Sequence, residues 1–153
     1  MILDTEDLNL KQNNPIVLGF TPMDDIHHEF EALLQQAQDS PDEELLSHIL
    51  AVQEHLQMHF DTEDKWMLET DFPAKDCHLQ EHADVLKSAQ EVVKHIQEGN
   101  MGVGRSFLSA LENWFPAHAN YLDSALAHWM FSRRIKKAKP VVFHKNLNTH
   151  SVV

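Results

Sequence analysis

Apolar residues recur at alternating steps of three and four in four stretches of this chain, and every stripe is interrupted by groups foreign to a core. The first stripe is Met23, His27, Phe30 and Leu34. The second is Leu45, Ile49, Val52, Leu56, His59, Glu63 and Trp66. The third is His78, His82, Val85, Ala89, Val92 and Ile96, and the fourth is Leu111, Phe115, His118, Leu122, Ala125 and Trp129. Such spacing lines one face of a helix, and four such faces predict an all-α bundle. Scarce glycine and proline, and the lack of a good alternating run, agree with helices over strands. Two pairs four residues apart, His59/Glu63 and His78/His82, fall on these stripes. A buried imidazole or carboxylate without a partner is strongly unfavourable. One metal ion is a partner that satisfies several at once.

The breaks between stripes carry helix-end chemistry. Ser40-Pro41-Asp42-Glu43 predicts a capping box opening the second helix, with Ser40 as the cap and Pro41 in the first helical position. Thr70 to Pro73 breaks that helix, and Gly99-Asn100 stops the third. Met101 to Gly104 reads as the next turn. Pro116, inside the fourth stripe, predicts a kink or a fresh helix start, and Pro140 ends whatever helix continues from it. The expected layout is one domain over 1–153: an irregular N-terminal arm (1–20), the bundle (21–138) and a C-terminal tail (139–153).

The chain carries 24 acidic against 12 basic residues, a net charge of −12. This argues against non-specific nucleic-acid binding, which needs a cationic surface. All carboxylates lie at or before Asp123, whereas Arg133, Arg134, Lys136, Lys137, Lys139 and Lys145 come after it. The body is acidic and its end cationic, which suits the dipole of a final helix and makes the tail a candidate dock for an acidic protein partner. Cys77 is the single cysteine, which predicts a reducing, cytoplasmic setting. The first ten residues lack the pattern of a secretory signal, and no stretch approaches the roughly 20 apolar residues of a membrane span.

Twelve histidines is roughly three times the ordinary share for this length. A lone histidine on an apolar face is more often a hydrogen-bonded core residue than a ligand. Five on their stripes (His27, His59, His78, His82 and His118) are harder to explain one by one. His48 and His55 sit one position before stripe residues, about 100° around the helix, and read as flanking or exposed. His28 and His95 are off-stripe by the same argument, and His128, His144 and His150 belong near the tail. Glu63, one turn from His59, wants a cation. Asp123 comes directly after a stripe residue and lies five positions from His118, so periodicity alone makes it a flank residue. Cys77 reads as structural.

Taken together, these residues resemble the hemerythrins, most closely their single-domain bacterial form. Met23-Asp24-Asp25-Ile26-His27 is similar to the segment at the family's first histidine. His59-Phe60-Asp61-Thr62-Glu63, with Met67 beyond it, matches its His-Phe-x-x-Glu. Phe72-Pro73 and His78-Leu79-Gln80-Glu81-His82 match its turn and its H-x3-H pair. Trp114-Phe115-Pro116-Ala117-His118 with Asp123 matches its W-x3-H-x4-D ending. The resemblance implies an up-down four-helix bundle holding two iron ions and a bridging oxo or hydroxo group. It implies His78, His82 and His118 on one iron, His27 and His59 on the other, and Glu63 and Asp123 bridging. Asp123 enters the ligand set on this ground only.

Such a set leaves one of roughly twelve coordination positions open, on the iron with two histidines. The implied function is reversible dioxygen binding for storage, delivery or sensing, by a binding protein, not an enzyme, acting as a monomer or small homo-oligomer. The alternatives are an oxygen- or nitric-oxide-sensing module and a peroxide- or nitric-oxide-consuming di-iron enzyme. Phe30, Leu56, Trp66, Phe115 and Leu122 are expected to keep the site dry, with no further acid or base nearby. Ferritin-like oxidases use Glu-x-x-His on two helices, and no Glu here has a His three residues later. The family commonly carries Leu directly after the Trp of the last motif, where this chain has the bulkier Phe115.

Overall fold

A computed structural model describes the backbone of residues 16–142 and the side chains of residues 16–134. The helices are α1 (Thr21–Asp39), α2 (Asp42–Glu69), α3 (Lys75–Gln97), α4 (Met101–His118) and α5 (Ser124–Val142), with a π turn, Ala119–Asp123, joining the last two. Helix α4, the π turn and α5 run on as one rod, so four rods make the bundle. Each packs on the next in sequence, and α1 also packs on α4, closing the ring. Among the described residues there is no strand, and no helix is long and apolar enough to cross a membrane. Most of the arm and the tail from residue 143 onward lie outside the described residues.

Two apolar clusters fill the interior. The larger unites Phe30, Leu34, Leu45, Ile49, Leu56, Phe107, Leu108 and Leu111, among others. The smaller unites Phe20, Met23, Met67, Phe72, Leu126 and Ala127. The residues that separate them along α1, α2 and the last rod are His27, Glu63 and Asp123, all buried. A polar layer is therefore sandwiched between two dry ones.

The helix ends obey local chemistry, with corrections to the sequence reading. The Asp24 carboxylate accepts the backbone N–H groups of Leu18 (2.8 Å) and Gly19 (3.1 Å), tying the entering chain to α1. Ser40 does not cap α2. Its hydroxyl instead donates to the Ala37 carbonyl at 2.7 Å, finishing α1, and Pro41 stands before the first residue of α2. Arg105 of α4 seals this corner, donating to the Ser40 carbonyl (2.7 Å) and to Asp42 (2.8 Å). Helix α2 ends at Glu69, as Thr70–Pro73 predicted, with Asp71 at φ +52°. Gly99, at φ +95°, ends α3 in a conformation that costs glycine little.

Met101–Gly104 is not a turn. Asn100 caps α4 by accepting the Val103 N–H at 3.3 Å, and the helix starts at Met101. Gly104 is helical because the rods close there: a Cβ would lie 2.6 Å from Ile96 Cδ1 and 3.2 Å from Leu45 Cδ2. Pro116 does not restart the helix, which runs through it to His118. Helix α5 runs to Val142, past Pro140, so Arg133 and Arg134 are not at its end. Instead they lie over the Trp129 and Phe20 rings.

Candidate metal centre

Along α1, α2 and α3 the three-four spacing delivers the imidazoles and Glu63 inward without irregularity. The last rod needs a device. From His118 to Asp123 is five residues, which in a regular α-helix turns Asp123 well away from the His118 direction. The backbone widens there, and the Ser124 N–H reaches back to the Ala119 carbonyl, five residues earlier. One residue is thereby absorbed. Asp123, Leu126 and Ala127 turn inward and are buried, whereas Ala125 is exposed and Leu122 only half-buried. The fourth stripe as read beyond His118 is corrected by one position. Trp66 is likewise half-buried, with Met67 taking the core place.

The seven predicted side chains converge. Donor atoms of His27, His59, Glu63 and Asp123 lie within 4.8 Å of one another, and so do those of Glu63, His78, His82, His118 and Asp123. All seven are buried, and the five imidazoles meet the carboxylates through Nε2. Glu63 Oε2 faces His59 (2.9 Å) and His27 (3.3 Å), and its Oε1 faces His82 (3.3 Å) and His78 (3.5 Å). Asp123 Oδ2 faces His27 (3.0 Å), and its Oδ1 faces His78 (2.9 Å) and His118 (3.2 Å). Each carboxylate thus presents one oxygen to each group of histidines.

Only part of this proximity is hydrogen bonding: Glu63 Oε2 pairs with His27 and His59 Nε2. Both oxygens of Asp123, Oε1 of Glu63 and Nε2 of His78 are buried and have no aligned hydrogen-bond partner. Orphaned polar atoms of this kind are rare and need a reason. A cation between them fits: these donors crowd together without pairing. The donor set of imidazoles and carboxylates suits iron and other first-row metals.

Electrostatics point the same way. Burial opposes charge on His27 and His78, but the Asp123 and Glu63 carboxylates outweigh it and raise both to about 9. Burial also works against charge on His82, which Asp64 and Glu63 raise nonetheless. Burial pushes Glu63 upward, yet the surrounding imidazoles hold it well below the usual carboxylate range. Asp123 is held down by His118, His27 and His78 against burial and the Glu63 charge. Without metal, protonated imidazoles balance the charge of the ionised carboxylates.

The hemerythrin HHE cation binding domain matches residues 18–129, a span containing all seven converging side chains. The chain belongs to the hemerythrin family. A Bacteriohemerythrin from Ralstonia nicotianae is 33% identical over 116 residues, covering 76% of this chain and 85% of the relative. No solved structure matches the chain.

Other residues of this hemerythrin fall differently from the sequence reading. His55 is buried, not exposed; its Nε2 pairs with the Ile26 carbonyl at 3.2 Å and it belongs to neither donor group. It reaches the carbonyl from the flank of α2, where burial holds its pKa below the ordinary value. His28, His95, His128 and Cys77 are exposed. His144 and His150 lie outside the described residues.

Two acids that sequence reasoning passed over stand behind the imidazoles. Asp64 Oδ1 is 2.7 Å from His82 Nδ1, and Glu81 Oε1 is 2.8 Å from His118 Nδ1. Glu31, one turn from His27, is half-buried, and burial raises its pKa. The expectation of no further acid nearby is therefore corrected. A signal existed: Asp64 adjoins Glu63 and Glu81 precedes His82. A ligating imidazole also needs an acceptor for its outer N–H, usually supplied from just beside the site.

Proposed function

We propose that the seven side chains hold two iron ions and that this hemerythrin binds dioxygen reversibly. His78, His82 and His118 serve one iron, His27 and His59 the other, and Glu63 and Asp123 bridge. The observation that carries this reading is the division of each carboxylate between the two groups of histidines. When bound, the iron pair with its bridging oxo or hydroxo group supplies the electrons and the open coordination position for dioxygen. The ligand set would be carried by one hemerythrin-like domain spanning the chain.

The chain's own residues govern whether the binding reverses. The Phe115 ring meets His27 edge-on at 5.0 Å, and Phe30 meets both Phe115 (4.9 Å) and His59 (6.0 Å). These rings are almost wholly buried and exclude water from the two-histidine side. A dry, apolar wall of this kind would slow proton entry to the centre and so favour reversible binding. Asp64 and Glu81 lie on the far side of their imidazoles, with His82 and His118 between them and the centre.

Iron content together with an oxygen titration of the reduced protein tests the reading. Two irons per chain and a visible band that appears and fades with oxygen over many cycles are expected. Irreversible oxidation with peroxide consumption, or a single metal ion per chain after loading with iron, overturns it.

A further inference from the structure

The five imidazoles are not equally supported. His82 Nδ1 meets Asp64 at 2.7 Å, and the Phe60 ring stacks on the His82 ring at 4.0 Å with 4° between the planes. His118 Nδ1 meets Glu81 at 2.8 Å, and the Trp114 ring lies 4.4 Å away. Trp114 also donates its indole N–H to the same Glu81 oxygen at 3.1 Å, so that carboxylate is itself fixed. In contrast, Nδ1 of His27, His59 and His78 is buried with no partner. The two acid-backed imidazoles belong to one end of the centre, and the end built on His27 and His59 has none.

A carboxylate behind an imidazole keeps the proton on Nδ1, presents the Nε2 lone pair inward, and fixes the ring plane. The charge also raises the donor strength of the ring. Phe60 stacked on His82 and Trp114 packed against His118 restrict the remaining rotation before any metal arrives. We propose that Asp64 and Glu81 are positioning residues for His82 and His118, and that they make the three-histidine end of the centre the one that takes iron first and releases it last. This rests on the iron-binding reading above, because it assigns an order to sites which that reading creates.

The test is anaerobic release of Fe(II) from the loaded full chain to a colour-forming chelator. Wild type is expected to release its iron in two phases of one ion each. Glu81→Ala is expected to speed the slow phase by about 10- to 100-fold and leave the fast phase unchanged. Asp64→Ala, on the neighbouring helix, should do the same, and carries the test if Glu81→Ala does not fold. Glu81→Gln keeps an acceptor for both N–H donors and should recover most of the slow phase. A purely structural role would not select one phase or be rescued this way. Equal acceleration of both phases, no change in either, or a single phase in wild type overturns the proposal. Wild type that does not hold two irons overturns the iron reading and this one together; two irons with unaltered phases in the variants overturns only this one.

Discussion

Among the described residues Glu63 and Asp123 have no counterion other than the histidines around them, and those histidines are the ligands of the proposed centre. Removing one carboxylate is therefore not equivalent to removing one histidine. Glu63→Ala takes an oxygen from each group, so the loaded protein is expected to lose both irons, read as metal per chain. His55→Ala is the control. It should retain two irons while losing about 1–3 kcal/mol in urea unfolding, because a buried hydrogen bond to Ile26 and buried volume disappear. At this scale the sequence is largely legible: five stripe histidines and Glu63 announce themselves by sitting where apolar residues belong. Asp64, Glu81 and His55 escape the pattern, since they sit one position off a stripe. On a helix packed against two neighbours that flank still reaches the interior: His55 is buried there, and the partly exposed Asp64 and Glu81 touch buried imidazoles.

The π turn shows how an element moves a residue that spacing alone excludes. Counting in steps of three and four assumes a uniform 3.6 residues per turn, and the assumption fails over Ala119–Asp123 alone. Nothing in a hydrophobic pattern marks a widened turn, so Asp123 is recognisable only through its motif. The first three stripes, with no such interruption, agree with the structure in their main residues. The helix ends fare unevenly for a related reason: Ser40 and the glycines near Met101 have alternative uses at a tight corner, and tertiary packing chooses between them. Changing the length of the widened turn probes this register. Tyr121 is exposed, and deleting it should let the turn relax to α-helix with the aspartate one turn after His118 and Leu126 still inward. That variant is expected to keep two irons. Inserting an alanine after Tyr121 rotates everything beyond by about 100° and should abolish metal binding, with helicity by circular dichroism retained in both.

Across the whole molecule, the centre couples metal, protons and folding. In the metal-free protein His27 and His78 titrate at about 9, above the ordinary 6.5 they regain on unfolding. A raised imidazole favours the fold while it holds its proton. That contribution is complete below about pH 6.5 and is lost as pH rises through about 9. The urea midpoint of the metal-free protein should accordingly fall between about pH 7 and pH 10. Ligation requires those protons to leave, so adding Fe(II) to metal-free protein near neutral pH should acidify a weakly buffered solution, followed with an indicator dye. Bound metal in turn adds stability that grows with its concentration relative to its dissociation constant.

The orphaned oxygens of Asp123 and Glu63 have one more consequence. A cavity that lacks good internal partners for its own lone pairs is poorly equipped to discriminate against whichever divalent ion arrives first. Zinc, cobalt and manganese accept the same mixture of nitrogen and oxygen, and intrinsic affinity does not single out ferrous iron. On the di-iron reading, which ion fills the bundle should therefore follow cellular supply at the moment of folding, and overproduction in iron-poor, zinc-rich medium is expected to yield a colourless, mismetallated protein.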